Sequence, residues 1–374
     1  MSDMNVKPRS HAATTRSGSV GPSTPAASTV RSATTTSTTA TPVAGLFDAG
    51  EVPVGQRGRP QGALRPHEAL MTSKLASAPH YASFADAFAS VIGPSALRDL
   101  KAAMVKTPIV LIAGDQCTGK GTAAEGLVAR LGGSNTGTGT VLRALAKENG
   151  LSIEQMSAML SGKSVELVDV SGQRRVVSLK DFPHLGSAED VDVRLDYRAA
   201  TAIASSSLTK ADGQTIDVGV FESRLAGHLG QFLEGIGRQN VVSVYLYAAP
   251  RVQAERYLER EVFAPQERAG VDVTAARSQA KAVLAGVSDR LPLGECLQAL
   301  VDAKVPGLSS LADKVKGIAG RDENDKTRLL ALYGVDYQDR SAFDVVVDTN
   351  GKTPDDVKAT ILAAVEAKLT ARST

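Results

Sequence analysis

The residues Gly114-Asp115-Gln116-Cys117-Thr118-Gly119-Lys120-Gly121-Thr122 follow directly on the apolar run Pro108-Ile-Val-Leu-Ile-Ala113. A buried strand, a glycine turn and then a helix is the arrangement with which a chain grips nucleotide phosphates. Gly114 and Gly119 permit the backbone angles that turn N–H groups inward. The helix adds its positive N-terminal end, and Lys120 supplies a mobile charge for the outer phosphates. Every position from Gly114 to Thr122 is therefore a candidate contact for ATP. The hydroxyl that commonly follows the lysine and meets Mg²⁺ is displaced by Gly121 to Thr122, so the motif alone does not assign Thr122 to the metal. Cys117 reads as a tolerated small residue, with a redox switch as the alternative.

The elements that must carry this loop follow from periodicity. A helix is expected over 122–131, stopped by Gly132-Gly133. A second is capped by Thr136-Gly-Thr-Gly139 and carries Val141, Leu142, Leu145 and Ala146. Ser152 caps a helix over 153–160, and the alternating run 165–179 around Ser171-Gly172 predicts a hairpin. Helices are expected over 190–209, 250–262, 329–333 and 354–369, and strands over 215–221, 241–247 and 343–348. Strands separated by helices predict an α/β fold, a three-layer sandwich whose central parallel sheet is flanked by helices and binds ligands at the strand ends.

Bulk composition bounds the partners. With a net charge of +2 and 22% charged residues among 374, no basic stripe for nucleic acid is expected. No apolar run approaches the ~20 residues of a membrane span, and Cys117 and Cys296 lack metal-ligand spacing. A cytoplasmic monomer is the expectation. Residues 1–62 are rich in Ser, Thr and Ala, with no acid between Asp3 and Asp48. Such a segment cannot bury enough apolar surface to offset its chain entropy, so a disordered tail is expected. A plain tail and an address that delivers the protein elsewhere both stay open. In 63–106 the apolar content rises, and Phe84, Phe88 and Ile92 on one helical side predict an adapter packed on a catalytic domain, 107–374.

Several separated motifs resemble those of the cytidylate kinases, within the nucleoside monophosphate kinases, over about 108–367. Gly119-Lys-Gly-Thr122 is similar to the family's phosphate loop, with Cys117 where a glycine is usual. Thr138-Gly-Thr-Val-Leu-Arg143 resembles the element in which a Ser/Thr-Gly pair opens a helix and an arginine binds the monophosphate's phosphate. Val191-Asp-Val-Arg-Leu-Asp196 is similar to an acid-rich helix start. Glu222-Ser-Arg-Leu-Ala-Gly227 resembles a segment of the archaeal-type branch, with Ser223 for glycine and His228 where an aromatic is usual. Arg321-Asp-Glu-Asn-Asp-Lys-Thr-Arg328 resembles the lid and hinge pattern of bacterial members. Leu332-Tyr-Gly-Val-Asp336, Tyr337 and Phe343-Asp-Val-Val-Val-Asp-Thr349 follow as in the archaeal-type branch. Two insertions, 163–183 and 264–315, set the chain apart.

The resemblance implies an ATP-dependent kinase that uses Mg²⁺ and phosphorylates a nucleoside monophosphate, CMP or dCMP first. AMP, another monophosphate or a small alcohol is the alternative acceptor. It implies catalytic roles for Lys120, Arg321, Asp325 and Arg328, with Asp325 fixing the directions of two arginine forks aimed at the transferring group. It implies monophosphate contacts from Thr138, Gly139, Arg143, Asp196 and Arg224. Arg256 and Arg260 fall on the lid stem. Arg198 is a weaker candidate on the acid-rich helix, and Thr122, Asp217 or Glu222 would approach Mg²⁺. His228 is a candidate base contact, with a structural role as the alternative. The rival from another class is a regulator or delivered effector that binds nucleotide without turnover.

Overall fold

The apolar run ahead of the glycine turn is the central strand of the sheet, β1 (Ile109–Gly114), buried at every position. The computed structural model describes residues 79–168, 171–308, 311–319 and 321–371, without the side chains of 313, 316, 319 and 321. The chain divides at Gly62. The expected tail, Met1–Gly62, and the adapter's first part, 63–78, lie outside the described residues.

The remaining strands are β2 (Ser134–Gly137), the pair β3 (Val165–Val168) and β4 (Arg174–Val177), β5 (Ser207–Thr209), β6 (Thr215–Glu222), β7 (Val241–Tyr247) and β8 (Val345–Asp348). The central sheet has the order β2-β6-β1-β7-β8, with all these neighbours parallel, and β5 pairs antiparallel with the start of β6. Its registers set Ile112 beside Glu222 and Gly114 beside Leu246, so the glycine turn leaves the carboxyl end of the sheet between β6 and β7. The expected hairpin forms from β3 and β4.

Two strands were not legible. Ser134-Asn-Thr-Gly137 has no apolar alternation and becomes β2 through its pairing with β6. Residues 207–209, read as helix, are β5, because Ser206 takes a left-handed φ of 47° and ends the helix before them.

Helices cover both faces. They are α1 (Phe84–Val91), α2 (Ala96–Ala103), α3 (Lys120–Leu131), α4 (Thr138–Glu148), α5 (Ile153–Leu160), α6 (Ala188–Ser205), α7 (Ala226–Gly235), α8 (Pro250–Leu258), α9 (Ala264–Arg268), α10 (Thr274–Ala285), α11 (Leu293–Asp302), α12 (Leu311–Ala319), α13 (Arg321–Tyr333) and α14 (Pro354–Ala371). Strand alternation divides the core. Val110 and Ile112 of β1 pack with Leu127 of α3 and Ile361 of α14. Leu111 joins Phe221, Tyr245 and residues of α1, α6 and α7 on the other face. The fold is α/β, with a mostly parallel sheet between helical layers.

Two features bear on the site. Phe84 of α1 packs on Tyr333 with ring centroids 4.6 Å apart, and the backbone N–H groups of His80 and Tyr81 donate to the carbonyls of Ala331 and Leu332 at 2.8 and 3.0 Å. The segment from His80 to Phe84 therefore braces the end of α13. The 264–315 insertion folds into helices with their own core, in which Leu284, Leu297, Leu300 and Leu311 are fully buried and Cys117 packs at the margin. It joins α8 through a π-helical turn, Glu259–Phe263, where continuous α-helix was expected.

Candidate functional site

The loop geometry follows from its glycines. Gly114 sits at φ 141°, and a Cβ there would run into the Leu246 carbonyl and the Thr118 hydroxyl. Gly119, at φ 93°, precedes α3 and points the first helical N–H groups back into the turn. Cys117 is a non-glycine residue at φ 57°, a strained choice costing about 1 kcal/mol where a glycine would relax it. Burial raises its thiol pKa above the ordinary value, which argues against a ready thiolate.

Lys120 Nζ donates to the main-chain oxygens of Gly114 and Asp115 at 2.9 and 2.6 Å. Burial, reinforced by the positive charge of Arg224, pulls its pKa down to about 8. The ammonium thus sits within the loop in a poorly hydrated place, where anionic oxygen is worth more than in water.

Beyond the loop's first residues lies a dense charged network. Arg224, just past β6, pairs through Nη2 with Asp322 at 2.5 Å and through Nε with Asp325 at 2.6 Å, while Nη1 donates to the Tyr337 hydroxyl at 2.8 Å. Although burial opposes it, the two carboxylates raise the pKa of Arg224. The Tyr337 hydroxyl and Gln338 Nε2 each donate to Asp115 Oδ1 at 3.0 Å, and the Gln116 amide reaches Asp322 at 3.5 Å. The loop and the first turn of α13 are thereby tied together.

Among the described side chains Asp325 pairs with Arg224 and Arg328; the Arg321 side chain lies outside the described residues. Arg328 turns towards α6 and pairs with Asp192 at 2.9 Å, so it does not join Lys120. Asp196 is 6% exposed and accepts a hydrogen bond from Tyr333 at 2.8 Å, and burial raises its pKa to about 7. Its place is a buried polar pair against α13, not an open subsite. Arg143 is exposed and bonded to Thr140 at 3.0 Å, apart from the Arg224 cluster. Arg198 forks onto Glu148 at 2.7 and 2.6 Å. His228 pairs with the Asp336 carbonyl at 3.0 Å, and burial lowers its pKa, which suits a structural histidine.

Among the metal candidates, Glu222 lies at the carboxyl end of β6 and accepts from Asn135 at 2.6 Å. Asp217 is exposed near the start of that strand, roughly 16 Å away at strand rise, which removes it from the phosphate end of the sheet. Among the described residues no group of three or more His, Cys, Asp or Glu is arranged to hold a metal ion. Mg²⁺ held chiefly by phosphate oxygens needs no such cage. The Thr138 hydroxyl and the side-chain amide oxygen of Asn135 are buried with no hydrogen-bond partner among the described residues.

A cleft of about 420 Å³ opens at the loop's other end, lined by Cys117 to Gly119, Thr122, Arg256, Arg260, Thr349 and Lys352. Arg256 is anchored there by Thr349, through its hydroxyl at 2.9 Å and its carbonyl at 2.7 Å. Thr349, Lys352, Asp322 and the partners of the Asp115 carboxylate (Tyr245, Tyr337 and Gln338) are not site candidates in the sequence. Only their contacts across the fold disclose them.

No family model matches the chain. A cytidylate kinase of Thermococcus kodakarensis is 39% identical over 64 residues, 17% of this chain and 33% of that relative. A cytidylate kinase of Pyrococcus abyssi is 22% identical over 258 residues, 69% of this chain and 93% of that relative. A solved structure of an uncharacterized protein from Eubacterium ventriosum has a TM-score of 0.37 at 12% identity, covering 70% of this chain and 99% of that one. The chain is thus distantly similar to cytidylate kinases, within an α/β fold whose glycine turn lies at the carboxyl end of a parallel sheet. Among the described residues, no helix is long and apolar enough to cross a membrane.

Proposed function

We propose that the protein transfers the γ-phosphoryl group of ATP to a nucleoside monophosphate, CMP or dCMP before AMP. One observation carries the reading: Lys120 lies in a glycine loop with a cation-lined cleft at one end and the half-buried arginine Arg224 at the other. Two anions could therefore meet across one lysine. The distant similarity to cytidylate kinases supports the same assignment.

In this reading Arg256, Arg260 and Lys352 hold the donor nucleotide, and the loop N–H groups and Lys120 take its outer phosphates. Arg224 orients the acceptor phosphate. An acceptor oxygen attacks the γ-phosphorus, the bond from that phosphorus to the β–γ bridging oxygen breaks, and ADP leaves. The chain's work is positioning and positive charge. Mg²⁺ would lower the charge on the phosphates when bound, with Thr122 and Glu222 as the chain's own oxygen donors. Asp322 and Asp325 hold Arg224 in place and compete with the acceptor phosphate for its nitrogens.

The test is ADP release by the full chain with ATP, Mg²⁺ and each of CMP, dCMP, UMP, AMP and GMP. Release with CMP or dCMP well above the rate without acceptor is expected. ATP binding with no turnover on any acceptor would replace the kinase by a nucleotide-binding regulator.

A further inference from the structure

Resting on the kinase reading, we propose that Tyr337 is a positioning residue that couples the two phosphate sites through its hydroxyl, which ties Asp115 of the glycine loop to Arg224.

The direction of the link is fixed by chemistry. A guanidinium donates and cannot accept, and an ionised carboxylate accepts and cannot donate. The hydroxyl therefore accepts from Arg224 Nη1 at 2.8 Å and gives its single proton to Asp115 Oδ1 at 3.0 Å. Tyr337 is fully buried, and its ring lies 5.2 Å from the guanidinium carbon of Arg224, so the hydroxyl has little freedom to seek water. Gln338 Nε2 shares the same carboxylate oxygen at 3.0 Å, and the Tyr245 hydroxyl approaches the other at 3.4 Å. The main-chain oxygen of Asp115 is in turn an acceptor for Lys120. One residue thus receives the Arg224 relay on its side chain and the lysine on its backbone.

Arg224 has its other nitrogens on Asp322 and Asp325. An acceptor phosphate competes for those nitrogens, while Nη1 stays with Tyr337. Exchanging these carboxylates for phosphate re-sets Arg224 and, through Tyr337, Asp115, so a second ligand at the loop meets a backbone already in its bound arrangement. Neutralising Arg224 also relieves its repulsion of Lys120. Both effects have the same sign: acceptor and donor each tighten the other, by the same factor.

The experiment first identifies which of CMP, dCMP, UMP, AMP and GMP the full chain turns over. MgADP is then titrated calorimetrically with and without that monophosphate, in wild type, Tyr337→Phe and Asp115→Ala. We expect the wild-type affinity for MgADP to rise about fivefold or more with the monophosphate present. In Tyr337→Phe the factor should fall to within about twofold of unity, with the affinity for MgADP alone nearly unchanged and a near wild-type unfolding temperature. Asp115→Ala cuts the relay at its other end and should lose the coupling too, which keeps the test open if either variant folds poorly. Wild-type coupling that survives in both variants overturns the role of Tyr337 while leaving the kinase intact. So does turnover without coupling in the wild type. No turnover with any monophosphate removes the kinase reading and the coupling with it.

Discussion

Tyr333 gives its phenolic hydrogen to Asp196 across 2.8 Å, closing α13 onto α6 with a carboxyl group that is almost wholly buried. Burial lifts the Asp196 pKa from its ordinary value near 3.8 to about 7, against the pull of Arg328. The folded state therefore holds a proton that the unfolded chain releases. The stability this lends is complete below pH ~4 and is lost as pH rises through about 7. Asp196→Asn keeps an acceptor for Tyr333 and cannot ionise. Denaturant unfolding at pH 5 and pH 8 should show the variant gaining on wild type at the higher pH by about 2–4 kcal/mol. Parallel pH profiles would contradict the buried carboxyl.

Lys120 supplies a second pH dependence. With its pKa drawn down to about 8 by burial and Arg224, the lysine loses charge in the free protein above that pH. Affinity for MgADP should be flat from pH 6 to 8 and then fall by up to about tenfold per pH unit. Lys120→Arg, charged throughout, should flatten the slope even if affinity drops overall. Lys120→Ala should lower turnover by about two orders of magnitude or more with the fold intact, measured as ADP release beside thermal unfolding.

The two arginines at opposite ends of the loop should separate kinetically. Arg256→Ala should raise the KM for ATP about tenfold and leave that of the monophosphate nearly unchanged, because Arg256 lines the cleft. Arg224→Ala should do the reverse and also lower kcat. Initial-rate grids over both substrates decide this, and a swapped pattern would reverse the donor and acceptor assignments.

Leu297 is fully buried in the separate core of α8–α12. Leu297→Ala should cost about 2–5 kcal/mol there and raise hydrogen exchange in α10 and α11, with β1 and β7 still protected. Uniform acceleration would mean that the insertion and the sheet unfold together.

What could be read ahead of the structure depended on how local the cause was. Val241–Tyr247 has the expected bounds because an uninterrupted apolar run makes a buried strand wherever it falls. The helix after Ser152 was legible because its capping box with Gln155 is written within four residues. Arg224, Asp325 and Arg328 stand out as motif residues, yet nothing local gives their pairing. Arg224 comes from the end of the sheet, Asp192 from α6 and Asp325 from α13, and only the fold brings them together. The same holds for Asp115, whose carboxylate partners all lie on distant segments. The burial of Asp196 is not legible, because an acid on an amphipathic helix gives no local sign that it faces inward.

The brace between α13 and the segment from His80 to Phe84 sets where the protein can be cut. His80 and Tyr81 lend backbone hydrogen bonds to Ala331 and Leu332, and Phe84 covers Tyr333. A fusion joint or purification tag placed just before Ile109, at the apparent edge of the nucleotide-binding half, would strip an aromatic surface from α6, α7 and α13. The shortest practical expression unit therefore begins before His80.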